Sequence, residues 1–212
     1  MKIRITSDST CDLDRRNIEK YNIGILPLSV ILGDERIYRD GIDLTPQNIF
    51  DYVAETGKLP KTCASSVEEY TEGFEKNLEG YDALIHFNIS SKASSSYFNA
   101  AKAAEEFGGK VIAVDSHALS TGQGLLILKA CEMAEAGMSP EQIAQAVNAL
   151  RPKVNTSFVP DSLDYLHKGG RCSLASLIGA KVLRLHPMIE MRAGQLMATK
   201  KYVGSIDRCQ RN

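Results

Sequence analysis

Hydroxyl side chains cluster in this chain: Thr6-Ser7-Asp8-Ser9-Thr10, Thr62 to Ser66, Ser90 to Ser96, and Ser116 with Ser120-Thr121. Side chains of this type recognise anions, because a hydrogen bond to a charged oxygen contributes about 1.5–3 kcal/mol. Helices that begin beside such loops add free N–H groups and a positive dipole end. The chemistry these residues suit is the binding of a carboxylate or a phosphate. A single serine is more often a helix cap or a turn residue. Several clusters brought to one rim favour binding instead.

Other chemistries lack their residues. A serine hydrolase needs a GxSxG elbow, which is absent; Asp8, Ser94 and His117 make a triad only by selecting partners. No Walker A loop exists for a nucleotidase. The histidines at 86, 117, 167 and 186 and the cysteines at 11, 63, 131, 172 and 209 show no metal-ligand or disulfide-framework spacing. His86 lies inside an apolar run and reads as a core histidine, His117 as a loop residue near a helix start. Cys63 and Cys172 flank candidate site residues but read as spectator thiols. No metal or cofactor is called for.

Composition narrows the field further. The 212 residues are 43% hydrophobic and 24% charged, ordinary for a globular protein. With 25 Lys+Arg against 26 Asp+Glu, no basic excess exists to bind nucleic acid. No apolar run approaches the roughly 20 residues of a membrane span. The start, MKIRITSDST, enters a strand at once with no signal-peptide core, so a cytoplasmic protein is expected.

The elements that position the clusters alternate strand and helix. Lys2–Thr6 reads as a strand, Asp12 to Tyr21 as a helix, and Ile23 to Leu32 as a strand broken by Pro27. Gly33-Asp34 signals a hairpin turn. Thr45 caps a helix with Pro46 at its first position and Gly57 at its end, and Ile49, Phe50, Val53 and Ala54 share one face. Ser66 and Glu69 form a capping-box pair for a helix whose stripe is Val67, Tyr70, Phe74 and Leu78. Strands Ala83–Ile89 and Val111–Asp115, with helices Ser95–Phe107, Gly122–Ala136 and Ser139/Pro140 to Leu150, complete the pattern. This alternation predicts an α/β fold with a parallel, helix-covered sheet over residues 1–153. Ligands bind such sheets beyond the carboxyl ends of the strands. The SDST, SSKASSS and VDSHALSTG segments each follow a strand, so they should meet at one rim.

From residue 154 to 212 the pattern changes to a smaller α+β unit. A strand at Asn155–Val159, a short helix at Asp161–His167, a Gly169-Gly170-Arg171 turn and a helix at Leu174–Leu185 precede a hairpin, His186–Met191 and Gln195–Val203. Met188, Ile189, Leu196 and Met197 on that hairpin need a partner surface. No later element supplies one, so the second domain is expected to be incomplete or truncated.

These residues resemble one family. Asp8-Ser9-Thr10 with Asp12-Leu13, Lys61-Thr62 with Ser65-Ser66, Ile89-Ser90-Ser91 through Tyr97, Val114-Asp115-Ser116, and the run Phe158 to Ser173 are similar to the motifs of the DegV family. The resemblance covers nearly the whole chain and is most specific over Leu163 to Arg171. It implies a two-domain protein that binds a long-chain fatty acid and presents its carboxylate to an ATP-dependent fatty acid kinase for acyl-phosphate formation. Such a protein is a bacterial lipid-binding subunit serving phospholipid metabolism, without its own catalytic machinery. Carried over, Thr62 and Ser94 hydrogen-bond the carboxylate, and Arg171 supplies charge or a kinase contact, with Ser9 and Ser95 in support. Two departures stand out: Cys63-Ala64 replaces the family's Ser-Gln, and Ser95 replaces a glycine, which stiffens the loop. Alternative readings are a phosphoryl-transfer enzyme related to dihydroxyacetone kinase and a truncated member that binds nothing.

Overall fold

The computed structural model describes residues 1–33, 36–161, 163–171 and 185–207. In chain order its strands are β1 (Ile3–Asp8), β2 (Gly24–Leu26), β3 (Ser29–Ile31), β4 (Ile37–Arg39), β5 (Lys61–Cys63), β6 (Ala83–Asn88), β7 (Val111–Asp115), β8 (Ser157–Phe158), β9 (Leu185–Arg192) and β10 (Gln195–Val203). Its helices are α1 (Arg15–Tyr21), α2 (Pro46–Thr56), α3 (Val67–Leu78), α4 (Ser96–Ala104), α5 (Ser120–Glu135), α6 (Pro140–Leu150) and α7 (Asp164–Lys168). The fold is α/β, as the alternation predicts.

β2, β1, β6 and β7 lie side by side in that order, every pair parallel. Parallel neighbours need helical crossovers, and these put helices on both faces. Every residue of β6 is therefore buried. Ile85 and Phe87 face α5 and α6 through Leu126, Ile127, Ile143 and Val147, while Leu84 faces α3 and α4 through Tyr70, Phe74, Ala100 and Ala103. Each buried Leu, Ile, Val or Phe among them contributes about 1.5–3 kcal/mol of burial. His86 sits in this core as read: Thr6 Oγ1 lies 2.9 Å from its Nδ1 and Asn88 Nδ2 3.2 Å from its Nε2. The edges of the Tyr70 and Phe74 rings meet it at centroid distances of 5.3 and 5.2 Å.

The Ile23–Leu32 run divides at Pro27. β2 joins the parallel sheet, whereas β3 forms a separate antiparallel sheet, ordered β4-β3-β5. Proline offers no N–H to a ladder, so the chain changes sheets there. The Asp12–Tyr21 helix starts three residues late, because Asp12 is left-handed (φ 47°) and closes a 3-10 turn over Ser9–Cys11. Asp14 then caps α1 through Asn17 N at 2.7 Å. The apolar face of α2 is not buried; Phe50 remains 57% exposed.

The hairpin is not alone. β8 pairs antiparallel with β9, giving a three-stranded sheet ordered β10-β9-β8. Ile189 is fully buried against Phe158, Leu163 and Leu166. The expectation of an unpartnered hairpin is corrected to that extent: β8 covers one edge of β9, although Met197 stays 47% exposed. Most of the helix expected over residues 174–185 lies outside the described residues, and Leu185 opens β9. Among the described residues, no helix is long and apolar enough to cross a membrane.

Candidate functional site

The carboxyl ends of β1, β6 and β7 bring their loops together, and two buried carboxylates join them. Asp8, the last residue of β1, is wholly buried. Its oxygens accept from Thr10 Oγ1 at 2.6 Å, Ile89 N at 2.7 Å and Gln123 Nε2 at 2.9 Å. Burial pushes its carboxyl above the ordinary value, against the lowering effect of these bonds. Asp115, which ends β7, accepts from Ser91 N at 3.1 Å and His117 N at 3.0 Å, and its other oxygen lies 3.2 Å from His117 Nε2. His117 and Ser120 are both left-handed (φ 51° each), which turns the β7–α5 loop back over the rim. One loop, residues 89–95, is thus fixed from both sides.

That loop forms one wall of a cleft of about 420 Å³. Ser91, Lys92, Ser94 and Ser95 line it on one side, Thr62 from β5 on another, and Arg171 closes the end. β5 is held by its pairing with β3, and just after it Ser65 O accepts from Asn99 Nδ2 on α4 at 2.7 Å. Arg171 donates to Ala93 O at 3.4 Å and to Gly169 O at 2.7 Å, so the Gly-Gly-Arg turn is tied to the hydroxyl loop. Ser94 Oγ accepts from Ser96 N at 3.2 Å and lies 2.8 Å from Ser96 Oγ. Ser95 makes no side-chain cap, and α4 begins with its positive end at this wall.

Of the residues named from sequence, Thr62, Ser94, Ser95 and Arg171 share the cleft. Ser9 does not line it: its hydroxyl accepts from Leu28 N at 3.2 Å and holds the β2–β3 crossing. Cys63 is exposed. Sequence reasoning overlooked Lys92 and Gln123. Lys92 stands as the lone charge inside a hydroxyl-rich loop, and Gln123 as a polar residue in an apolar helix; those were their signals. The lining holds two cations and no acidic residue, and neither cation has an ion pair among the described residues. A larger groove of about 600 Å³ runs beside β2 and α3, but it mixes Arg4, Arg39 and Lys76 with Glu69 and Glu72 and so selects no charge.

A family described as "Uncharacterised protein, DegV family" matches residues 2–208. The chain belongs to the DegV family. A DegV domain-containing protein of Deinococcus radiodurans is 32% identical over 198 residues, covering 93% of this chain and 70% of that protein. Among solved structures, a DegV family protein from Thermus thermophilus, described for its fatty acid binding, superposes with a TM-score of 0.87 at 32% identity, covering 100% of this chain and 77% of that one. A stearic acid-binding protein from Eubacterium ventriosum gives the same TM-score and identity, with 99% and 73% coverage. The Bacillus subtilis DegV, also described as a fatty acid binding protein, follows at 0.84 and 27% identity, with 100% and 75% coverage. The α/β fold of this chain, with its parallel sheet and added antiparallel sheets, is therefore that of the DegV family.

Proposed function

We propose that this chain binds a long-chain fatty acid, with the carboxylate held in the cleft between Thr62 and Ser94. The observation that carries the reading is the lining itself, with hydroxyls from two elements, Lys92, Arg171 and no acidic side chain around one space. Burying a carboxylate costs several kcal/mol unless it is paired. Two hydroxyl donors recover about 1.5–3 kcal/mol each. Ala64, Ala93 and Phe98 form the apolar side of the same cleft, where an acyl chain can leave the head group. Burial of that chain contributes about 0.8 kcal/mol per CH2 before ordering costs. The fatty acid binding described for the Thermus, Eubacterium and Bacillus relatives supports the same ligand class.

The second part of the proposal is that the protein is a carrier. It presents the carboxylate to an ATP-dependent fatty acid kinase, which phosphorylates it, and it acts in the cytoplasm without its own catalytic machinery. The family resemblance and the exposed position of Arg171 at the cleft mouth support this assignment. Native mass spectrometry of the purified protein tests the ligand. A bound mass equal to a long-chain fatty acid is expected, and its depletion in a Thr62→Ala, Ser94→Ala double variant. An empty protein that also ignores added oleate would overturn the reading.

A further inference from the structure

Ser90 does not line the cleft, yet every polar atom it owns is engaged around it. The residue is completely buried. Its N–H donates to Ala118 O at 2.9 Å, so the β7–α5 loop holds it. Its carbonyl accepts from Ala93 N at 2.8 Å and from Ser94 N at 3.1 Å. Its hydroxyl accepts from Lys92 N at 3.3 Å and donates to Gly194 O at 2.7 Å. Gly194 is the tip of the β9–β10 hairpin and is left-handed (φ 81°). A Cβ at Gly194 would fall 2.7 Å from Ser90 Oγ, 3.4 Å from Lys92 Cγ and 3.5 Å from His117 Cγ. The hairpin backbone thus rests directly on the loop that carries Lys92 and Ser94.

We infer that Ser90 is a positioning residue that couples docking of the β9–β10 hairpin to the placement of Ser94 and Lys92 in the cleft. The inference rests on the fatty acid reading for its ligand but not for its geometry. The physical reason is that a buried carbonyl left without a donor is costly. If the hairpin tip lifts, Gly194 O and Ser90 Oγ lose each other, and the same hydroxyl that orders Lys92 N loses its anchor. Main-chain bonds from Ser90 O then transmit the movement to Ser94. Gly194 is glycine both because of its left-handed backbone and because a methyl group would strike the Ser90 hydroxyl.

The test uses the full chain and Ser90→Ala, Gly194→Ala and Ser94→Ala, singly and with each of the first two combined with the third. Titration with a fluorescent fatty acid should show affinity reduced about tenfold by Ser90→Ala and by Gly194→Ala. In the Ser94→Ala background those losses should shrink, because residues acting through one another are not additive. Amide exchange supplies a readout without ligand: the Ala93 and Ser94 amides should exchange faster in both variants, while Ile112 in β7 keeps its protection. Unchanged exchange at Ala93 and Ser94 would overturn the coupling, as would losses that persist in full when Ser94 is already alanine. A wild type that binds no fatty acid would overturn the functional reading alone, since the exchange result still decides the coupling. Should Ser90→Ala not fold, Gly194→Ala carries the same test from the hairpin side.

Discussion

At the residue scale, the cleft assigns unequal roles to side chains of similar chemistry. Thr62→Ala or Ser94→Ala should weaken fatty acid binding by about 1–3 kcal/mol, the cost of leaving a buried charged oxygen short of a donor. Calorimetric or fluorescence titration measures it, and two variants matching wild type would remove both residues from the site. Arg171→Ala should instead impair acyl-phosphate formation with the kinase more than lipid retention, because its guanidinium already spends bonds on Ala93 O and Gly169 O. His86 supplies a pH prediction. Burial lowers its pKa from 6.5 to about 3, so between those values the unfolded chain holds a proton that the folded chain does not. Stability is then lost as pH falls below 6.5, at about 1.4 kcal/mol per unit. Urea unfolding at pH 7 and pH 5 should show wild type losing about 2 kcal/mol more than His86→Gln. Equal losses would mean that His86 is not held neutral.

At the element scale, local signals worked where the chain closes its own hydrogen bonds. Both capping assignments hold, with Thr45 accepting from Asn48 N and Ser66 from Glu69 N. These motifs span three residues and need nothing distant. The stripe on α3 is buried through Tyr70 and Phe74, but the equally periodic face of α2 is not. Periodicity states which residues share a face; what covers that face is decided by elements far away in sequence. The hairpin makes the same point, since β8 lies nearly thirty residues before β9 and only the fold pairs them. Ile189 is the centre of that small sheet. Ile189→Ala should cost about 2–5 kcal/mol of stability there. If residues 154–207 are a separate unit, the variant should lose amide protection in β9 and β10 while β1 and β6 keep theirs. Uniform loss across both sheets would show a single cooperative unit instead.

For the molecule as a whole, binding and stability are linked. A ligand held by the native state alone at a hundred times its Kd adds about 2.7 kcal/mol, so oleate should raise the Tm of wild type and raise it less in the Thr62→Ala, Ser94→Ala double variant. Differential scanning fluorimetry reads both. The carrier assignment makes a separate prediction. Purified protein with a fatty acid and ATP should release no phosphate at steady state, and turnover should require the kinase. Sustained ATP consumption by the protein alone would sink the carrier reading and favour a phosphoryl-transfer enzyme.

Sequence alone determined the alternation of strand and helix, hence the parallel sheet, and the order of strands followed by hydroxyl loops. It also carried the resemblance to the DegV family, which the family match bears out and from which Thr62, Ser94 and Arg171 are proposed as site residues. These are properties of short segments, in which composition and spacing act locally. Tertiary structure decided which of those residues meet. Thr62 lines the same cleft as Ser94 while the segment just after its strand is tied to α4 through Ser65, and Ser9 is engaged elsewhere by Leu28 N. It also decided that Asp8 and Asp115 hold the 89–95 loop by the Ile89 and Ser91 amides, and that the tip of a hairpin a hundred residues later presses on Ser90. Such contacts join positions with no sequence relation. Their energies come from burying a polar group beside its one available partner, and that partner is chosen only when the chain has closed around it.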